Sequence, residues 1–349
     1  MPTPEPNRAR VGYCSDACFV DHLTGPTHPE RPDRIRAIAL AVRQARLIDS
    51  PNPFPDFSLD LGAVDGGGRK LLELPPASNA DNAVERWISA VHTPGHVERV
   101  RHSCQFGGVL DQGDTPVCPA SYHTALRAVD TAINCCDAIV NGQVRRVFAA
   151  IRPPGHHAEP DRAMGFCLFC NIAIAARYLQ RHHGLGKIAI VDFDVHHGNG
   201  TQEVFDADPS VLFISLHQDP RTCYPGTGYA DEIGTGAGKG TTLNIPFQPG
   251  SGDDEYLVAM RERVLPALSA FGPEVLLVSA GFDGHQDDPL AQICLSDDGF
   301  AEISGLLAGA ADELCGGRLL SLLEGGYKLR ALGRSVVRHL NALSDRERP

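Results

Sequence analysis

Apolar positions sort the chain into two kinds of segment. Short runs of β-branched and other apolar residues at 11–14, 147–151, 188–191, 211–216, 242–245, 275–278 and 319–322 have the length and composition of buried strands. Apolar residues recur at helical spacing over 35–47, 120–140, 171–180, 254–271, 298–314 and 329–343. The stretch 87–104 reads as helix in two pieces, interrupted at Pro94 and Gly95. Segments 48–85 and 107–119 are dense in Pro, Gly and polar residues and are predicted irregular, and residues 1–9 read as a loose tail. From 147 onward strands and helices alternate, which predicts a parallel sheet with helices on both faces. No repeat or linker separates two cores, so one domain over 1–349 is expected.

In open sheets of this kind ligands bind beyond the carboxyl ends of the strands. One strand end stands out. Lys187 to Gly200 reads KIAIVDFDVHHGNG, where an apolar run gives way abruptly to Asp192, Asp194, His196 and His197. Strand alternation puts Asp192, Asp194 and His196 on one side, with Phe193 and Val195 opposite. Two carboxylates and an imidazole at a buried strand end are costly unless something binds them, and this donor set suits zinc. Each residue alone could instead cap a turn, so the other strand ends matter. The strand at 147–151 is followed by RPPGHHAEPDRAMGFC, with His156 and His157 in tandem as candidate acid/base groups. After 275–278 comes SAGFDGHQDDPL, with Asp283 as a third candidate ligand. After 319–322 comes LEGGYKL, where two glycines let the backbone approach a ligand and Tyr327 offers a phenolic donor. The tandem His182 and His183 reads as surface decoration.

Composition narrows the classes. Net charge is −12, from 31 basic and 43 acidic residues, with no basic run, so direct nucleic-acid binding is not expected. The 11 cysteines are odd in number and scattered, which points to reduced thiols in a cytoplasmic protein. Cys167 and Cys170 form a lone CxxC and read as packing at a helix start. No apolar h-region opens the chain and no apolar run reaches ~18 residues, so neither a signal peptide nor a membrane span is expected.

Taken together, HPERPDR at 28–34, RPPGHHA, DFDVHHGNGTQ, PGTGY at 225–229, AGFDGHQDDPL and EGGY resemble, in that order, the motifs of one family. It is the zinc-dependent deacetylases of the arginase–deacetylase fold, in particular the class II-like histone deacetylases and the bacterial deacetylase-like amidohydrolases. The resemblance covers most of the chain and implies a three-layer αβα domain with a parallel sheet of about eight strands. It implies one zinc ion (Zn2+) on Asp194, His196 and Asp283, with His156 and His157 as the proton-transfer pair and Tyr327 as the oxyanion donor. Asp192 would hold His156. Asn199 would hold His157, where some members carry an aspartate. Gly165 and Phe166, with Tyr224 opposite, would wall an acyl-lysine channel. A potassium ion (K+) would use Asp192, Asp194, His196, Ser215 and the backbone near Leu216. The partner is then an acylated lysine or a small acylamide, acetylpolyamines being the alternative. In polyamine-selective relatives an acidic residue guards the channel mouth seven positions after the third ligand; here that position is Leu290. Asp114 or Glu30 is the acidic group expected near the rim. A two-manganese centre of the arginase type would need aspartates where this chain has Gly198 and His285, although His285 itself could touch a metal or substrate.

Overall fold

A computed structural model describes residues 11–76, 81–111 and 113–344; the loose tail expected at 1–9 lies outside the described residues. The elements run β1 (Val11–Ser15), α1 (Asp33–Gln44), β2 (Leu72–Glu73), α2 (Asp81–Ile88), α3 (Pro94–Phe106), β3 (Gly108–Leu110), β4 (Thr115–Val117), α4 (Ser121–Val140) and β5 (Arg146–Ala150). They continue with α5 (Asn171–His183), β6 (Ile188–Asp192), α6 (Asn199–Phe205), β7 (Val211–Gln218), β8 (Thr242–Phe247), α7 (Asp253–Ala259) and α8 (Leu265–Phe271). The chain closes with β9 (Val275–Ala280), α9 (Asp297–Cys315), β10 (Leu319–Leu323) and α10 (Leu329–Leu343).

Eight strands form one sheet in the order β2-β1-β5-β10-β9-β6-β7-β8, and every pairing in it is parallel. Helices cover both faces. β9 meets α5 on one side and α9 on the other, with α4 packed beside α5 and α10 beside α9. The result is the α/β, three-layer architecture that the strand–helix alternation implies. Every residue of β5, β6, β9 and β10 is buried, which is why these strands read as unbroken apolar runs rather than as alternating ones.

Local chemistry explains the boundaries. Thr93 accepts from the backbone of His96 at the start of α3, and Pro94 sits at its first turn. Ser296 caps α9 in the same way through Gly299. Gly184 and Gly316 end α5 and α9 in the left-handed conformation that costs glycine little. The helix expected over 254–271 is instead α7, a wide π turn over Met260–Val264, and α8. Pro266, which has no N–H to donate into an α ladder, sits at the start of α8. The segment 107–119, predicted irregular, contains the small antiparallel β3–β4 hairpin.

Candidate active site

Four strand ends meet at one rim of the sheet, and they belong to its four central neighbours, β5, β10, β9 and β6. β6 stops at Asp192. The chain beyond it is no longer strand, yet the alternation persists because each carboxylate caps the backbone ahead of it. Asp192 Oδ1 accepts from the Asp194 N–H at 3.0 Å, and Asp194 Oδ1 from the His196 N–H at 2.9 Å. From β9, Asp283 Oδ1 accepts the Val195 N–H at 3.1 Å. From β10, the Gly325 N–H donates to Asp194 Oδ2 at 2.7 Å. A Cβ on Gly325 would stand 2.0 Å from Asp283 Oδ2, so this approach requires glycine.

Asp194, His196 and Asp283 are all buried, and one ligand atom from each lies within 4.8 Å of the others. His196 Nδ1 is 3.1 Å from Asp194 Oδ1 and 3.1 Å from Asp283 Oδ2. A single ring N–H cannot serve two carboxylates well, and two buried carboxylates need more positive charge than one imidazole supplies. Burial and the Asp194 charge push the Asp283 carboxyl up, while Asp194, despite its burial, is held far down by His156 and His196. Two oxygens and one imidazole nitrogen, buried together with unbalanced charge, fit a divalent cation such as zinc. Asp137, His182 and His183 also lie close together, but His182 is exposed, and Asp137 Oδ1 is already bonded to Tyr178 and His183.

The loop after β5 brings in the histidine pair, with ring centroids 4.0 Å apart. His156 Nδ1 is 2.9 Å from Asp192 Oδ2, and His157 Nδ1 is 2.7 Å from Asn199 Oδ1. Their environments separate them. Burial alone would lower His156, but the Asp192 and Asp194 carboxylates outweigh it and raise it to about 10. Burial, and then the neighbouring His156, draw His157 well below the ordinary imidazole range. The two rings are thus driven in opposite directions, His156 toward the cation and His157 toward the neutral form.

Around this centre stand the aromatic residues. Phe166 lies edge-on to His28 at 4.7 Å and to Tyr327 at 5.9 Å between centroids. Tyr224 lies edge-on to His157 at 5.1 Å and 6.4 Å from His196. Gly165 backs on His157, where a Cβ would come within 2.3 Å of the ring. Asp288 accepts the backbone N–H groups of Tyr327 at 2.7 Å and Lys328 at 3.0 Å, and the Arg34 guanidinium sits 5.0 Å from the Tyr327 ring centroid. Burial keeps the Tyr327 phenol well above its usual pKa, hence protonated. Leu290 is half-exposed on the same loop as Asp283, its N–H held by Asp288. Ser215 pairs in register with Asp192, its hydroxyl bonded to His217, and Leu216 is buried beside it.

Two expectations need correction. His285 turns away from the cluster: its Nε2 is 3.4 Å from Asp297 Oδ1 and its ring stacks on Phe300. Glu30 is not at the rim. It is fully buried between Arg34 and Arg152. Arg34 also donates to the Gly326 carbonyl at 2.7 Å and to that of Glu324, and Arg152 donates to the Phe19 carbonyl at 2.6 Å. The Glu324 carboxylate, also unforeseen, accepts the N–H groups of Gly155 at 2.7 Å and His156 at 3.2 Å; burial above all raises it to about 7. A lone charge between an apolar strand and two glycines was the available signal for Glu324, whereas Glu30 is one charge among several in HPERPDR and nothing local singles it out.

The chain is similar to known proteins in sequence and fold. The chain superposes on the crystal structure of the HDA15 HD domain with a TM-score of 0.84, at 36% identity, covering 96% of this chain and 89% of that one. It is 40% identical over 278 residues to a histone deacetylase-like amidohydrolase of Pseudomonas aeruginosa, spanning 78% of this chain and 71% of that protein. It is 38% identical over 311 residues to a probable deacetylase of Archaeoglobus fulgidus, spanning 89% and 79%. Among the described residues no helix is long and apolar enough to cross a membrane. The histone deacetylase domain model matches residues 28–343, from the HPERPDR loop to the end of α10, and with these relatives it shows that the chain belongs to the histone deacetylase family, a family of deacetylases.

Proposed function

We propose that this chain is a cytoplasmic, zinc-dependent deacetylase built as one domain over 1–349, hydrolysing acyl groups from lysine side chains without direct contact with nucleic acid or membrane. The observation that carries this reading is the meeting of Asp194, His196 and Asp283 with the His156–His157 pair and Tyr327 at one rim. Asp194, His196 and Asp283 would hold one zinc ion, which when bound polarises the amide carbonyl and lowers the pKa of water. Neutral His157 takes a proton from the attacking water and passes it to the leaving nitrogen. Asp192 keeps His156 cationic beside it, stabilising the negative charge that builds as water adds. Tyr327 donates its phenolic proton as a hydrogen bond to the amide oxygen. The C–N bond breaks, leaving a free amine and a carboxylate. Phe166, Tyr224 and Gly165 flank the lysine methylenes. A potassium ion would sit behind the site on Asp192, Asp194, His196, Ser215 and the Leu216 backbone.

Leu290 favours an acyl-lysine over an acetylpolyamine, because an apolar side chain cannot replace the water lost by a distant ammonium group. The side chain that Gly198 lacks would run into Asp192, at 2.3 Å for a Cβ alone, which speaks against a second metal ligand there. The test pairs metal analysis with substrate profiling. About one tightly held zinc per chain, with faster turnover of acetyl-lysine peptides than of acetylspermidine, is expected. A requirement for two manganese ions, or a strong preference for acetylpolyamines, would sink the reading.

A further inference from the structure

Asn199 can offer His157 either end of its amide, and the two ends demand opposite tautomers. Its surroundings choose. Asn199 Nδ2 faces Glu159 Oε1 at 2.8 Å, Met164 Sδ at 3.3 Å and the His157 carbonyl at 3.4 Å, all of them acceptors. The Glu159 carboxylate dominates this set, being the nearest of the three and the strongest acceptor type among them. It thereby turns Asn199 Oδ1 toward His157 Nδ1, which must carry the proton at 2.7 Å. Glu159 is itself held in place. Arg162 donates to its Oε2 from Nε at 3.1 Å and Nη2 at 2.7 Å, and the two backbones bridge each other.

We propose that Glu159 is a positioning residue for the reaction: its carboxylate fixes the Asn199 amide, and so holds His157 in the Nδ1–H tautomer with Nε2 free to accept a proton. The inference rests on the reading of His157 as proton acceptor given above. An aspartate at 199 would need no such partner, since both its oxygens accept. Glu159 and Asn199 together do what one carboxylate would do for orientation, while leaving the group that touches His157 uncharged.

Two measurements test this. In protein carrying 15N-labelled histidine, with His157 assigned by its loss in His157→Gln, the ring should show a protonated Nδ1 and a bare Nε2. A wild-type ring in the Nε2–H form overturns the proposal, whatever any variant does. In Glu159→Leu, judged folded by its thermal melt, the ring should shift toward the other tautomer. On an acetyl-lysine peptide, kcat should fall roughly tenfold with KM little changed. In an Asn199→Asp background the same Glu159→Leu change should cost less than about twofold, since no amide remains to orient. An unchanged kcat, or an equal loss in both backgrounds, overturns the proposal and makes Glu159 a loop-holding residue only. If the wild type fails to hydrolyse acyl-lysine at all, the proposed function fails, and the tautomer measurement still decides the role of Glu159.

Discussion

At Tyr327 the hydroxyl and the ring have separable tasks. The ring packs edge-on against Phe166 and under the Arg34 guanidinium, contacts that need no oxygen. The hydroxyl is kept protonated by burial and is available to the substrate. Tyr327→Phe should therefore lower kcat by about 10²–10³ while leaving the melting transition and the metal content near those of the parent. Turnover close to the parent value would return Tyr327 to packing. Asp194, His196, Asp283 and the histidine pair were legible in the sequence because charge at the end of an apolar strand stands out. Glu159 was not. Its partner Asn199 is 40 positions away, and nothing local marks an acceptor that acts on an amide.

Elements were legible in proportion to their length and uniformity. The seven strands read from the sequence are all present within a few residues of their expected bounds, because a strand buried on both faces must be apolar throughout. The two-residue β2, the β3–β4 hairpin and the seven-residue α6 escaped, being too short or too rich in Gly, Pro and polar residues to show a period. The tie between elements was also invisible. Glu30 joins the loop before α1 to the loops after β5 and β10 through Arg152 and Arg34. Burial would raise its carboxyl, but the two guanidinium groups hold it well below the usual range. Glu30→Gln removes the charge and leaves two buried cations facing each other. Urea unfolding should show a loss of about 3–5 kcal/mol. The exposed pair Arg101–Glu98 provides a comparison, and Glu98→Gln should change stability by less than about 1 kcal/mol. Equal effects at the two sites would mean the buried network is not what holds these loops.

Across the whole molecule, acid stability depends on imidazoles that the fold keeps neutral. His339 is fully buried, with Nδ1 2.7 Å from Ser304 Oγ and Nε2 2.9 Å from Ser321 Oγ, and burial lowers it to about 3. Below the ordinary imidazole pKa of about 6.5 the unfolded chain takes up a proton that the folded chain refuses. The neutral ring's contribution is therefore complete above about pH 6.5 and drains away as pH falls toward about 3. Raised carboxyls such as Glu324 act in the opposite sense over part of this window, so the difference between two proteins is the informative quantity. The stability gap between the parent and His339→Gln should narrow steadily from pH 7 to pH 4 in urea titrations; a gap independent of pH would show that His339 does not stay neutral.

The four strands whose ends lead into the proposed reacting groups are consecutive and central, each hydrogen-bonded on both sides. The reacting groups lie on the loops just past these strand ends, whereas Phe166 and Leu290 stand farther out on two of the same loops and Tyr224 on the loop after β7. Reaction and selectivity are thus set at different distances from the sheet, largely along the same loops. Variation in the outer stretches of these loops can redirect the enzyme to a new acyl group or a new carrier, whereas variation in the strands and the stretches next to them threatens fold and chemistry together. A scaffold divided in this way can diversify its substrates over evolutionary time while its reaction stays the same.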